Sequence, residues 1–304
     1  MSARWDRTRV MLMAIVLLNI STTLGCDTSK RIFDAFDSTR DTGLTIDRIW
    51  DIREPERKFL IVMVHGFNSS SEAAWGGFAS LIRGEKNSTF ADFNVIRYGY
   101  GTSVCRNRVE ISVRGDGLRS FLIDEMKNYR GIIFVGHSMG GLVVMHALTI
   151  LARDNSEDLN RLPVIAMTFG TPHLGVQGAD ALAQISFLCR DKQAGAMEAF
   201  SEELVGLTAQ WDSYFGNLGG DRYNYHVAMK RYYGGDDLLV SHASACAGRI
   251  SECEQVDGNH AWMVKPNGPD HLAYQKLRAQ VSNLVIARDN MLPMSPSNLR
   301  IEKN

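Results

Sequence analysis

The sequence is short of the features that mark several large classes of protein. Across 304 residues, 33 Lys+Arg stand against 34 Asp+Glu, for a formal net charge of -1. Such a chain has no basic field with which to gather a polyanion, so nucleic acid is not expected as a partner. The five cysteines lack metal-site spacing, and no Walker-type glycine loop is present to cradle a phosphate. No metal and no cofactor are therefore expected. Internal repeats and low-complexity segments are missing too, which argues against a repeat array or a disordered scaffold. What is there is an ordinary globular composition, 45% hydrophobic and 22% charged. It suffices for the core of one α/β domain, or at most two.

At the amino end, Arg4, Arg7 and Arg9 precede the apolar run Val10 to Ile20, followed by Ser21-Thr22-Thr23-Leu24-Gly25-Cys26. A basic stretch, a short apolar stretch and small residues in that order describe a secretory signal. The apolar run is too short for a comfortable transmembrane helix. Leu24-Gly25-Cys26 resembles a bacterial lipobox, with Thr23 where that pattern favours leucine, and Asp27 resembles an inner-membrane retention signal. The expectation is a signal over 1–25, a tether over 26–43 and a lipid anchor on Cys26 at the periplasmic side of the inner membrane. Secretion as a soluble protein is the alternative.

The stretch around which the rest is organised runs from Gly131 to Gly141. Ile132 to Val135 is an unbroken apolar run, as in a strand buried on both faces. It ends in Gly136-His137-Ser138-Met139-Gly140, a G-x-S-x-G pattern, and Leu142 to Leu151 follows at helical spacing. Strand, tight turn and helix together make the context of a nucleophile elbow, with Ser138 as nucleophile. Further strands are expected at 44–52, 59–64, 93–98, 163–169 and 223–233. Helices are expected around 75–82, around Leu118 to Met126, and from Pro269, placed at a first helical position, through Val285. This alternation predicts an α/β domain over 44–290, with a mostly parallel sheet flanked by helices. Residues 176–222 exceed a simple crossover, and Leu204, Leu207, Trp211, Tyr214 and Leu218 recur at helical spacing, so a helical cap is expected there. A frayed tail over 291–304 completes the chain.

A serine nucleophile needs a base and an acid from elsewhere in the fold. Of eight histidines, His65 and His137 belong to backbone-shaping motifs and His146 lies within the helix after the elbow. His226 falls inside an expected strand, and His242 follows the acid candidates too closely. His173, His260 and His271 remain, and the last two, in the loop before the final helix and in its first turn, are the base candidates. Asp236 and Asp237 both follow a strand, in the order Ser, Asp, His, and Asp180 is a weaker alternative. The oxyanion donors are expected at the backbone N–H groups of Met139 and Phe67. Cys246 and Cys253, close in sequence between acid and base, are the favoured disulfide among Cys105, Cys189, Cys246 and Cys253; four buried thiols are the alternative.

Five segments in order complete the pattern: V-H-G-F at 64–67, G-H-S-M-G-G at 136–141, G-T-P-H-L-G at 170–175, D-L-L-V at 237–240 and N-H at 259–260. On these the chain resembles the α/β-hydrolases over roughly residues 58–288, in particular their lipase-like branch of GPI inositol-deacylase-like and related serine-active-site proteins. The resemblance implies a hydrolase of carboxylic esters, often of lipids, acting without a cofactor. It selects Asp237 by its D-x-x-V pattern and His260 by its place before the last helix. It also implies a substrate pocket lined by His173, with His65 and His137 in its motifs; Trp211 and Phe215 are expected to line it from the cap, with ordinary core packing of that apolar face as the alternative. An acyltransferase or thioesterase with the same residues, or a silent binding protein on this scaffold, are the competing readings.

Overall fold

The computed structural model describes residues 46–67, 69–85, 89–101, 111–175, 193–216, 225–249 and 253–291, with the backbone alone over 193–202. The expected signal and tether, Cys26, Cys105, Asp180, Cys189 and the tail beyond Met291 lie outside the described residues.

Among the described residues, seven strands form one sheet: β1 (Asp47–Ile52), β2 (Phe59–Val64), β3 (Phe93–Gly99), β4 (Gly131–His137), β5 (Val164–Phe169), β6 (Val227–Gly234) and β7 (Cys253–Val256). Their order is β1-β3-β2-β4-β5-β6-β7, so the strand before Ser138 is the central one. β1 pairs antiparallel with β3, and all other pairings are parallel. The described helices are α1 (Phe78–Gly84), α2 (Ile111–Glu125), α3 (Met139–Arg153), α4 (Glu157–Arg161), α5 (Gln193–Phe215), α6 (His242–Ala245) and α7 (Leu272–Met291).

Alternation along the strands divides the core into two layers. All six residues of β2 are buried. Leu60, Val62 and Val64 pack with α2, α3 and α5 on one face, while Ile61 and Met63 pack with α1 and α7 on the other. A strand covered on both faces has no use for polar alternation, which is why it reads as a continuous apolar run. α5 buries Leu204, Leu207 and Trp211 in the α3-side cluster, each contributing about 1.5–3 kcal/mol by removal from water. Glu203 on α5 also accepts a 2.8 Å hydrogen bond from the Ser112 N–H. It thereby caps the first turn of α2, where amides lack helical partners.

Several boundaries differ from the sequence expectation. β1 begins at Asp47, and β6 begins at Val227, so His226 precedes the strand and its carbonyl accepts from the Val164 N–H. α1 begins at Phe78, leaving Trp75 in the turn before it. Pro269 is not at a first helical position, because α7 begins at Leu272. His271 stands just before it and its Nδ1 accepts the Ala273 N–H at 3.3 Å, a capping contact that sets the start three residues later. β7 and α6, of four residues each, are too short to show a period.

Candidate active site

At the end of β4 the backbone turns sharply into α3. Ser138 sits in the turn at φ 54° and ψ -127°, a conformation that L residues rarely adopt and that costs about 1–3 kcal/mol. The surroundings hold it there. The Ser138 N–H donates to the Phe169 carbonyl at 2.8 Å and the Ser138 carbonyl accepts from the Gly141 N–H at 3.1 Å. A Cβ on Gly136 would lie 2.6 Å from Gly141 Cα, and one on Gly140 would lie 2.1 Å from the Val64 carbonyl oxygen. Only glycine lets strand and helix approach this closely. Met139 is the first residue of α3, so its amide is one of the four that a helix leaves unpaired. The loop after β2 runs alongside, since a Cβ on Gly66 would lie 2.8 Å from Ser138 Cβ. Phe67 follows it, half-buried against the α3-side core.

The loops after β6 and β7 bring an acid and a base together. His260 Nδ1 and Asp237 Oδ2 are 2.8 Å apart, and the Asp237 side chain is only 1% exposed. Asp237 Oδ1 accepts from the N–H groups of Leu239 and Val240, each at 2.9 Å. Burial opposes ionisation of this carboxyl, but the charge and hydrogen bond of His260 together with the two amides outweigh it. Asp237 is therefore held below the usual carboxylate range, ready to fix the imidazole tautomer. Asp236 is exposed. His271, the other base candidate, is occupied at the start of α7.

His260 is set against Ser138's neighbour. His137 Nε2 donates to the His260 carbonyl at 2.6 Å, and the two rings lie 4.9 Å apart. Asn259 Oδ1 accepts from the Ala261 and Trp262 N–H groups at 3.1 and 3.2 Å, which shapes the turn that carries His260. A disulfide joins Cys246 to Cys253, with 5.4 Å between their Cα atoms. It ties the segment after the acid to the strand before the base. His242 comes close to the same two sulfurs, which the disulfide withholds from thiolate ligation.

The three histidines that the resemblance sets around the pocket are buried, and His65 and His137 bond to backbone as the motifs that carry them imply. His65 is 1% exposed; its Nε2 accepts from the Tyr100 N–H at 3.1 Å, which leaves Nδ1 as the donor to the Gly66 carbonyl at 2.8 Å. Its ring stacks on Tyr100 at 4.5 Å. His137 is spent on the His260 carbonyl, and burial, then the charge of His260, pushes it down to about 3. His173 is 1% exposed, with Nε2 at 3.2 Å from Thr168 Oγ1. Burial, then the Arg231 charge, pushes it down to about 3 as well. Trp211, expected to line a pocket, is 4% exposed within the core. Phe215 packs on it with ring centroids 4.5 Å apart. Their helical spacing is a packing face, which an apolar stripe is before it is anything else. The motifs bring in both Asn259 and His137, but their partners, the Ala261 and Trp262 N–H groups and the His260 carbonyl, escape sequence reasoning. A cleft of about 730 Å³ between α1 and α7, lined by Leu81, Glu85, Tyr274 and Arg278 among others, contains none of the candidate catalytic residues.

A mostly parallel sheet, a strained serine at the end of its central strand, and on the later loops a histidine bonded to a buried carboxyl define the α/β-hydrolase fold in its serine-hydrolase form. More particularly, the chain belongs to the family described as "Putative serine esterase (DUF676)", whose model matches residues 54–208. It is 26% identical over 147 residues to "Putative lipase YDL109C" of Saccharomyces cerevisiae, covering 44% of this chain and 23% of that protein. To "Putative lipase ROG1" of the same yeast it is 25% identical over 126 residues, covering 40% and 18%. The match thus spans less than a quarter of the length of either relative. Among solved structures, the N-acyl homoserine lactonase AidH complexed with N-butanoyl homoserine is 14% identical at a TM-score of 0.46, covering 84% of this chain and 98% of that one. A lipase-esterase related protein from Clostridium acetobutylicum ATCC 824 is also 14% identical at 0.46, covering 79% and 99%.

Proposed function

We propose that the chain is a serine hydrolase that cleaves carboxylic esters of acyl or lipid type through an acyl-enzyme on Ser138. The observation that carries this reading is the hydrogen bond of His260 to the buried Asp237 carboxyl, together with a strained Ser138 whose neighbour His137 is bonded to the His260 carbonyl. In the first step His260 Nε2 takes the Ser138 hydroxyl proton while Oγ attacks the ester carbonyl carbon. The negative charge formed on the carbonyl oxygen is met by the backbone N–H groups of Met139 and Phe67. Collapse of the tetrahedral intermediate breaks the bond to the alcohol oxygen, which leaves with the proton from His260. Water then repeats the sequence on the acyl-enzyme, giving the acid and free Ser138. Asp237 remains ionised throughout and stabilises the imidazolium.

The amino-terminal signal and Cys26 support export and a lipid anchor, and the Cys246–Cys253 disulfide fits an oxidising compartment. Labelling with a palmitate analogue tests the anchor: Cys26→Ser abolishes incorporation, and an unlabelled wild type would exclude it. For the activity, p-nitrophenyl esters of graded chain length are the assay. Wild type turns them over, and Asp237→Asn or His260→Ala lowers kcat by about 10³-fold or more. Full turnover by both variants would refute the reading.

A further inference from the structure

Because β2 to β7 run parallel, their C-terminal ends share one edge of the sheet, and Ser138, Asp237 and His260 stand on it. β1 alone is reversed: Asp47 pairs with Gly99, the last residue of β3, and Ile52 with Val95. The chain therefore enters the described domain at the catalytic edge. Among the described residues on that edge, the loops after β5, β6 and β7 leave three large apolar side chains to solvent, namely Leu174 (47% exposed), Leu238 (67%) and Trp262 (43%), and Ile46 (45%) stands just before β1. The three loops pack on one another. The Leu174 N–H donates to Ser244 Oγ at 3.2 Å, and a Cβ on Gly170 would meet Asp237 Oδ2 and Met263 Cε, each at 3.0 Å. A single exposed leucine needs no explanation. Three such groups on adjoining loops, two of them within two residues of the candidate acid and base, form an apolar rim. Lys265 Nζ lies 5.3 Å from the Trp262 ring centroid, and an amphipathic ring beside a cation suits the headgroup zone of a bilayer.

We propose that this edge docks on a lipid bilayer through Leu174, Leu238 and Trp262, presenting Ser138 to ester bonds of the lipids in the membrane that holds Cys26. The proposal rests on the ester-hydrolase reading and on the Cys26 anchor. Twenty residues, 27 to 46, separate Cys26 from β1, a span of at most about 70 Å when extended. Entry at the docking edge means that the tether need not traverse the depth of the domain to bring this edge to the surface. Asp236 and Asp257 are exposed beside the rim, where Lys265 is half-buried, so a zwitterionic surface fits better than an anionic one.

Amide hydrogen exchange of the full-length protein, with and without phosphatidylcholine vesicles, tests the orientation. Docking slows exchange by about fivefold or more in 171–175, 237–241 and 259–265, and leaves the turns before β4 and β5, on the opposite edge, unchanged. Protection of the opposite turns, or none at the catalytic edge, would overturn the proposal. In a second arm, Leu174→Ser/Leu238→Ser lowers hydrolysis of a phospholipid in vesicles by about tenfold, with p-nitrophenyl butyrate hydrolysis within about twofold of wild type. Equal rates on vesicles would also overturn it. If wild type hydrolyses neither ester but shows edge protection, docking stands and the ester-hydrolase reading falls. Soluble-ester hydrolysis without edge protection gives the reverse.

Discussion

The interior of the sheet and its catalytic edge obey different rules although one or two residues separate them. Within β2 all six side chains are apolar and buried, and β5 buries all six as well, with Thr168 its one polar residue. One residue past β2 stands the buried His65, and one past β4 stands Ser138 at positive φ. Past β5 come Gly170 at φ 53°, Thr171 Oγ1 and His173 Nδ1, the last two buried without a protein partner among the described residues. Past β6 comes a buried carboxylate. Strained and buried polar groups thus stand within four residues of the ends of these strands. A fold keeps such violations only where the surrounding core over-determines them and where chemistry needs them.

The widest contrast is expected from Ser138→Ala, which should lower kcat on a short-chain ester by about 10⁴-fold or more with the melting temperature hardly moved. A large loss of stability instead would make Ser138 a structural residue and erase the distinction. Trp211→Ala is the converse. It should cost about 3–5 kcal/mol in chemical denaturation while chain-length preference stays fixed, and a shifted preference would return Trp211 to the pocket.

The buried histidines offer a pH test. His137 and His173 are both depressed from 6.5 to about 3, so the unfolded chain binds their protons first. Their stability contribution is complete above about pH 6.5 and is lost as pH falls toward 3, at about 1.4 kcal/mol per pH unit for each histidine. Asp237, whose value is lowered, adds loss only below about pH 4, as its own carboxylate protonates. Urea titrations from pH 7 to 4 should show the slope, and His173→Gln should reduce it, the remainder being carried by His137 and by His146 and His271, which burial also lowers. No dependence on pH would mean that neither His137 nor His173 is held neutral. The smallest effect belongs to Ser138→Gly, which removes the strain at φ 54° and should raise stability by about 1 kcal/mol. A destabilised glycine variant would show that the elbow is relaxed.

How much of this was legible beforehand divides along the same line. The interior strands announce themselves, because burial on both faces leaves uninterrupted apolar runs such as Phe59 to Val64. The elbow is equally readable, since its glycines are demanded by backbone contacts that any residue with a Cβ would break. Asp237 could be separated from Asp236 only by motif order. The physical difference between them, burial and two backbone donors, exists only in the folded loop. The backbone-shaping part of His65 and His137 is legible in their motifs, but the resemblance also sets them, with His173, around a substrate pocket, because a histidine near the nucleophile looks the same in sequence whether it faces a pocket or an oxygen of its own fold. The start of α7 was misplaced for a similar reason. Pro269 is a fair first helical residue, but the cap from His271 is a side-chain contact invisible to spacing. Trp211 and Phe215 show the limit of periodicity, which tells that a helix face is apolar without telling what covers it.

The central claim is that the strained serine at the end of β4 is the nucleophile and that His260 activates it. Labelling with a fluorophosphonate, followed by mass spectrometry of the adduct, addresses both parts in folded protein. The account predicts one adduct, on Ser138, absent in Ser138→Ala and formed about 10³-fold more slowly in His260→Ala. Equal labelling of wild type and Ser138→Ala, or an unchanged rate in His260→Ala, would contradict it.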